Sequence, residues 1–179
     1  MSDQQDSEPG SVPTRSLEEI AKQLAGSFIH DLTLSFRSPV RLVCPSDEAE
    51  QHVVNAMTQA ATSRGIPFEV TDLRSAPVMQ LDAITARLDG WEGLATNKSP
   101  SPMPTLLILR GFDAFGDDAH DGPTYPFRSK FQFDQKFLWL FIGRDTSRMQ
   151  FLFGSRQRPL YLAAGDITPN DWQPRGRRR

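Results

Sequence analysis

The chain has 179 residues, 38% of them hydrophobic and 23% charged, with a formal net charge of −2. That length suffices for one domain with loose ends but not for two cores, and the composition is too apolar for a disordered chain. A lone cysteine, Cys44, excludes an internal disulfide, and three scattered histidines (His30, His52, His120) leave no Cys/His zinc spacing, which excludes a structural metal on those ligands; no cofactor is expected.

No apolar run approaches the length of a membrane span, and the N-terminal stretch is polar and acidic where a secretory signal is basic and then apolar. A cytoplasmic protein without a membrane partner is predicted. Arg175, Arg177, Arg178 and Arg179 place four positive charges at the C-terminal end, so the rest of the chain carries −6 against the total of −2. An acidic body argues against a broad nucleic-acid surface and leaves the tail as the one basic segment for phosphate contact.

Residues 1–15 hold almost no apolar side chain of any size and read as a disordered leader. Ser16 and Glu19 have capping-box spacing, and Leu17, Ile20, Ala21 and Leu24 follow on one helical face, which predicts a short helix stopping at Gly26. The run Val40-Arg41-Leu42-Val43-Cys44 ends at Pro45 and predicts a strand feeding a second helix. Asp47 and Glu50 suggest its capping box, Ala49, Val53, Ala56, Met57 and Ala60 its buried stripe, and Gly65 its end. A strand is predicted over 67–72. A helix then starts near Pro77, with Val78, Leu81, Ile84, Leu88 and Trp91 inward.

After a proline- and serine-rich loop, residues 105–109 (TLLIL) are apolar without alternation, as in a strand covered on both faces, and read as the central strand. Asp117, Asp118, His120 and Asp121 form an acidic segment without calcium-loop spacing and read as a solvated turn. Residues 137–142 (FLWLFI) are a second fully apolar strand, and residues 159–164 (PLYLAA) a last one. Residues 16–168 then form a single domain and 169–179 an irregular basic tail. Short strands alternating with helices predict an α/β fold, three-layer αβα, with a mainly parallel five-stranded sheet. In such sheets ligands bind beyond the carboxyl ends of the strands. The turn after the first strand, Cys44-Pro45-Ser46-Asp47-Glu48, has neither glycine nor lysine and carries two acids where a phosphate would sit.

The element order, together with TLLILRGFDAF (105–115) and FLWLFIGRDTSR (137–148), resembles the core of AAA+ ATPases, a P-loop NTPase-like fold. The resemblance places Ser46 and Asp47 in the phosphate loop and Arg110 and Gly111 where the family has an Asp-Glu pair. It sets Asp113 at a later acidic position, Thr146 nearest the polar sensor, and Arg156 and Arg158 near arginines that reach a neighbouring subunit. Both catalytic motifs are thereby degenerate, and the family's sheet order would insert the fourth strand between the first and third. The implied function is a non-catalytic, protein-binding or regulatory component of a larger assembly. Its expected contacts are Phe131 and Phe133 of the aromatic 127–153 region with Arg144, Arg148, Arg156 and Arg158, docking on an active ATPase or on a second copy of the chain. Two alternatives stand beside it. One is a small metal-dependent hydrolase or transferase using Asp72, Asp113, Asp145 and Asp166, and the other a nucleic-acid-binding accessory protein acting through the tail and Phe131/Phe133. Cys44 reads as a buried, inert thiol.

Overall fold

The structure, a computed structural model, describes residues 15–33, 38–94, 104–131 and 137–172, without the side chains of 31–33 and 89–94. The leader up to Thr14, Phe133, the side chain of Trp91 and the Arg-rich end lie outside the described residues. The strands are β1 (Val40–Val43), β2 (Phe68–Asp72), β3 (Thr105–Arg110), β4 (Phe137–Gly143) and β5 (Gly165–Asp166). They form one sheet in the order β2-β3-β4-β1-β5, and every neighbouring pair is parallel. β4 lies between β1 and β3, as the AAA+ resemblance implies. The helices are α1 (Leu17–Thr33), α2 (Asp47–Ser63), α3 (Pro77–Leu94), α4 (Thr124–Phe131) and α5 (Thr146–Gly154), with 3-10 turns at Phe112–Phe115 and Asn170–Trp172.

Two hydrophobic cores sandwich the sheet, and β4 serves both. Its aliphatic residues Leu138, Leu140 and Ile142 join the core under α1 and α2. Its aromatic residues Phe137, Trp139 and Phe141 join the core under α3, α4 and α5. Alternation between two kinds of apolar side chain, rather than between apolar and polar, is what a strand buried on both faces requires. β4, not β3, is therefore the central strand, a correction of the sequence reading. Phe112 nucleates the aromatic side, its ring within 4.6 to 6.2 Å of those of Phe115, Phe127, Phe141 and Phe153.

The helix starts follow the capping chemistry. At α1 the Glu19 amide donates to Ser16 Oγ (3.2 Å) and the Ser16 amide to Glu19 Oε2 (3.0 Å), a reciprocal capping box. The helix does not stop at Gly26. Phe28 and Ile29 continue the buried face against α2, and that burial outweighs the roughly 1 kcal/mol a glycine costs in a helix interior. At α2 the cap is Ser46, whose Oγ accepts from the Ala49 amide at 3.1 Å. Asp47 is thus the first helical residue, not the cap, and its carboxylate is free for other partners. Gly65, at φ 67°, ends this helix in the left-handed region, with the Ile66 amide bonded back to the Ala61 carbonyl. In α3 Leu81, Ile84 and Leu88 are buried as read, whereas Val78 is exposed.

The run 159–164 is not a strand. Its backbone groups go into turns: Tyr161 N–H to the Arg158 carbonyl, Leu162 N–H to that of Phe153, Ala163 N–H to that of Leu160. Leu162 sits at φ 52° and is 75% exposed. The strand is only Gly165–Asp166, extended by the Val43 amide donating to Thr168 Oγ1 at 2.9 Å. A 3-10 turn follows at Asn170–Trp172, and Trp172 packs on the α1/α2 core.

Candidate functional site

Parallel strands deliver their carboxyl ends to one rim, where the ends of β1, β2, β3 and β4 meet the first turn of α2. Glu50 lies in that turn, four residues beyond the Ser46 cap, on the face that also carries Val53, Val54 and Met57. Its side chain is 1% exposed. A carboxylate so placed must find cations. It finds three, each from a different strand end. Arg74, in the turn after β2, donates through Nη2 to Glu50 Oε1 (3.1 Å) and through Nη1 to Oε2 (3.3 Å). Arg110, the last residue of β3, donates through Nε to Oε1. Arg144, directly after β4, brings its Nε to 3.9 Å from Oε2.

Two outer carboxylates complete the cluster. Asp72 holds Arg74 in a fork, accepting from Nε at 2.8 Å and from Nη2 at 2.6 Å, and this pairing keeps its carboxyl below the usual aspartate range and raises the guanidinium of Arg74 further. Asp47 pairs with Arg74 (3.3 Å) and with Arg144 (2.5 Å). Three arginines face three acids, so the rim balances its own charge. Gly111 serves the same cluster. At φ 69° it adopts the left-handed conformation, and a Cβ there would stand 2.4 Å from Arg74 Cγ. Arg110 and Gly111 thus respectively grip Glu50 and make room for Arg74.

Asp113 does not face this cluster as a metal ligand would. Its Oδ2 accepts from the amides of Arg144 (3.1 Å) and Asp145 (3.0 Å), fixing the β4–α5 turn from which Arg144 reaches Asp47. Asp145 caps α5, accepting from the amides of Ser147 (2.8 Å) and Arg148 (3.0 Å). Thr146 is exposed at the first position of α5. Asp166 holds Arg41 at 3.1 Å. The four carboxylates of the hydrolase alternative are thus each engaged by an arginine or by backbone N–H groups. Among the described residues no group of three or more His, Cys, Asp or Glu side chains is arranged to hold a metal ion. Cys44, at the end of β1, is fully buried, and desolvation, reinforced by the Glu50 charge, pushes its thiol up to about 12. That is the reverse of an activated nucleophile.

The expected contact residues divide. Phe131 is buried in the aromatic core against Phe127, Trp139 and Phe141, so its ring offers no surface to a partner or a base. Arg158 is spent internally, donating through Nη1 to Asp121 (2.8 Å) and through Nη2 to Asp118, with its guanidinium 4.0 Å above the Phe151 ring. The acidic segment is therefore not simply a solvated turn. Asp121 is buried, and Asp117 accepts from the amides of Ala119 and His120 while pairing with Arg148 at 3.5 Å. Arg144, Arg148 and Arg156 remain exposed.

Glu50 and Arg74 were not singled out as site residues in the sequence. The signal was there: a glutamate on an otherwise apolar helical stripe, and arginines within two residues of three strand ends.

No protein-family model matches the chain, and no curated protein matches it. Among solved structures, that of the Aeropyrum pernix Orc1 protein in complex with DNA is similar with a TM-score of 0.57 and 15% identity, over 89% of this chain and 46% of that one. The structure of Drosophila ORC bound to DNA matches with a TM-score of 0.40 and 12% identity, over 94% of this chain and 51% of that one. The chain spans about half the length of these structures. What the Orc1 likeness shows is the fold alone: an α/β architecture built on a parallel five-stranded, P-loop NTPase-like sheet.

Proposed function

We propose that this chain is a non-catalytic AAA+-like module that acts as a protein-binding or regulatory component of a larger assembly. The observation carrying this reading is the closed ion cluster around Glu50. Phosphoryl transfer depends almost entirely on cations and donors aimed at phosphate oxygens. Here the cations at the strand-end rim are aimed at the chain's own carboxylates, and the α2 start carries Asp47 and Glu48 in place of a glycine-lysine loop. With Phe131 in the core and Arg144 engaged by Asp47 and Glu50, docking falls to the exposed arginines Arg148 and Arg156. The fitting partner is acidic, either an active ATPase or a second copy of this chain, whose body is itself acidic.

Calorimetric titration of the full chain with ATP·Mg²⁺, paired with a phosphate-release assay, tests the reading. No saturable heat and no turnover are expected, and stoichiometric binding with turnover would overturn it. A second reading, nucleic-acid contact, is favoured by the Orc1 structure being a complex with DNA and by the basic end of this chain. In that case deleting residues 175–179 should weaken binding to duplex DNA and lower its salt dependence.

A further inference from the structure

Several guanidinium groups converging on one buried carboxylate is the way a protein holds a small oxyanion, with the difference that here the anion is part of the chain. Arg74, Arg110 and Arg144 come from three separate segments and are brought together only by the sheet. All three direct a nitrogen at Glu50, whose two oxygens share the donors: Oε1 takes Arg110 Nε and Arg74 Nη2, while Oε2 takes Arg74 Nη1 and lies nearest Arg144 Nε. The outer acids do not duplicate this role. Asp72 engages Arg74, and Asp47 engages Arg74 and Arg144 from the solvent side, its own side chain 74% exposed. Removing the Glu50 charge would leave three guanidinium groups against two carboxylates around the volume it vacates.

We propose that Glu50 is a tethered ligand, and that Arg74, Arg110 and Arg144 form an oxyanion seat of phosphate or carboxylate size which the chain fills with its own side chain. This deepens the reading above and rests on it. The seat ties the ends of β2, β3 and β4 to the first turn of α2. Opening it should convert a chain indifferent to phosphate into one that binds it.

The test uses the full chain carrying Glu50→Ala, which vacates the seat, and separately Glu50→Gln, which keeps the shape and removes the charge. Thermal unfolding is followed by calorimetry while inorganic phosphate, or acetate, is titrated at constant ionic strength balanced with NaCl. The wild-type chain in the same phosphate series removes the general salting effect. Glu50→Ala should unfold below wild type and recover by roughly 5 °C or more, saturably, in phosphate. Acetate should rescue it more weakly, since it offers two oxygens in place of four. Adding Arg110→Gln to Glu50→Ala should abolish the recovery. A variant unfolded in NaCl that folds in phosphate supports the proposal equally. Two folded variants whose response to phosphate matches wild type would overturn it, as would two variants that stay unfolded at every phosphate concentration. ATP binding by the wild-type chain would overturn the proposed function instead, so the two failures are separable.

Discussion

Asp113 separates a structural carboxylate from a catalytic one, and the structure predicts how its variants should differ. Its Oδ2 accepts two backbone N–H bonds, from Arg144 and Asp145, at 3.1 and 3.0 Å. A hydrogen bond to a charged acceptor contributes about 1.5–3 kcal/mol when buried. Asp113 is half-buried, so solvent screening and replacement by water reduce the pair to about 2 kcal/mol together. Asp113→Ala should lose that amount, about 4–8 °C in Tm for a domain of this size. Asp113→Asn keeps an amide oxygen able to accept the same two bonds and should stay within about 1 kcal/mol of wild type. Urea unfolding of the three proteins, with and without Mg²⁺, reads the difference. The reasoning is refuted if Asp113→Ala falls within about 0.5 kcal/mol of wild type, if the two variants are equally unstable, or if Mg²⁺ stabilises wild type and not Asp113→Asn.

Acid should unfold the protein through carboxylates held below their ordinary range. Asp72, forked by Arg74, and Glu69, gripped by Arg87, bind protons less readily folded than unfolded, so their stabilisation is complete above the unfolded values near 4 and is lost as pH falls through the depressed ones. Urea midpoints should hold from neutrality to about pH 5 and then decline, with a shallower decline in an Asp72→Asn/Glu69→Gln double variant. Cys44 should resist iodoacetamide at mildly alkaline pH in the native chain and react on unfolding, which mass spectrometry measures; rapid native alkylation would contradict its burial. Leu162→Gly should cost nothing or raise stability by up to about 1 kcal/mol in a denaturant titration, because it relieves a left-handed leucine that buries little.

The architecture was legible where a local rule and the tertiary environment agreed. Residues 105–109 and 137–142 are apolar on both sides because both faces are covered, and the Ser16/Glu19 box is made as written. Reading failed where long-range packing overrode a local sign. Gly26 is a stop by propensity and a mid-helix residue in fact, because Phe28 and Ile29 have α2 to pack against. The run 159–164 has strand composition, yet its carbonyls and amides close turns that bring Leu160 into the core. Among the described residues, the aromatic rings of 127–153 that suggested a partner surface fill the second core layer. At the site, a turn over 44–48 with two acids and no glycine or lysine was visible in one dimension. The mutual neutralisation of Arg74, Arg110, Arg144, Asp47, Glu50 and Asp72 was not, because their proximity exists only once the sheet has brought four strand ends together.

The placing of β4 between β1 and β3 bears on how the chain matures. Val40 finds its strand partner in Leu140 and Gly165, while β2 and β3 pair with each other much nearer in sequence. On a ribosome, α1 and α2 can dock early, but β1 must wait for the last third of the chain before it gains a neighbour, a long closure of the kind that slows folding. A nascent chain halted before Phe137 would hold β1 without either of its strand neighbours, and that interval is when it would be most exposed to aggregation or to capture by chaperones.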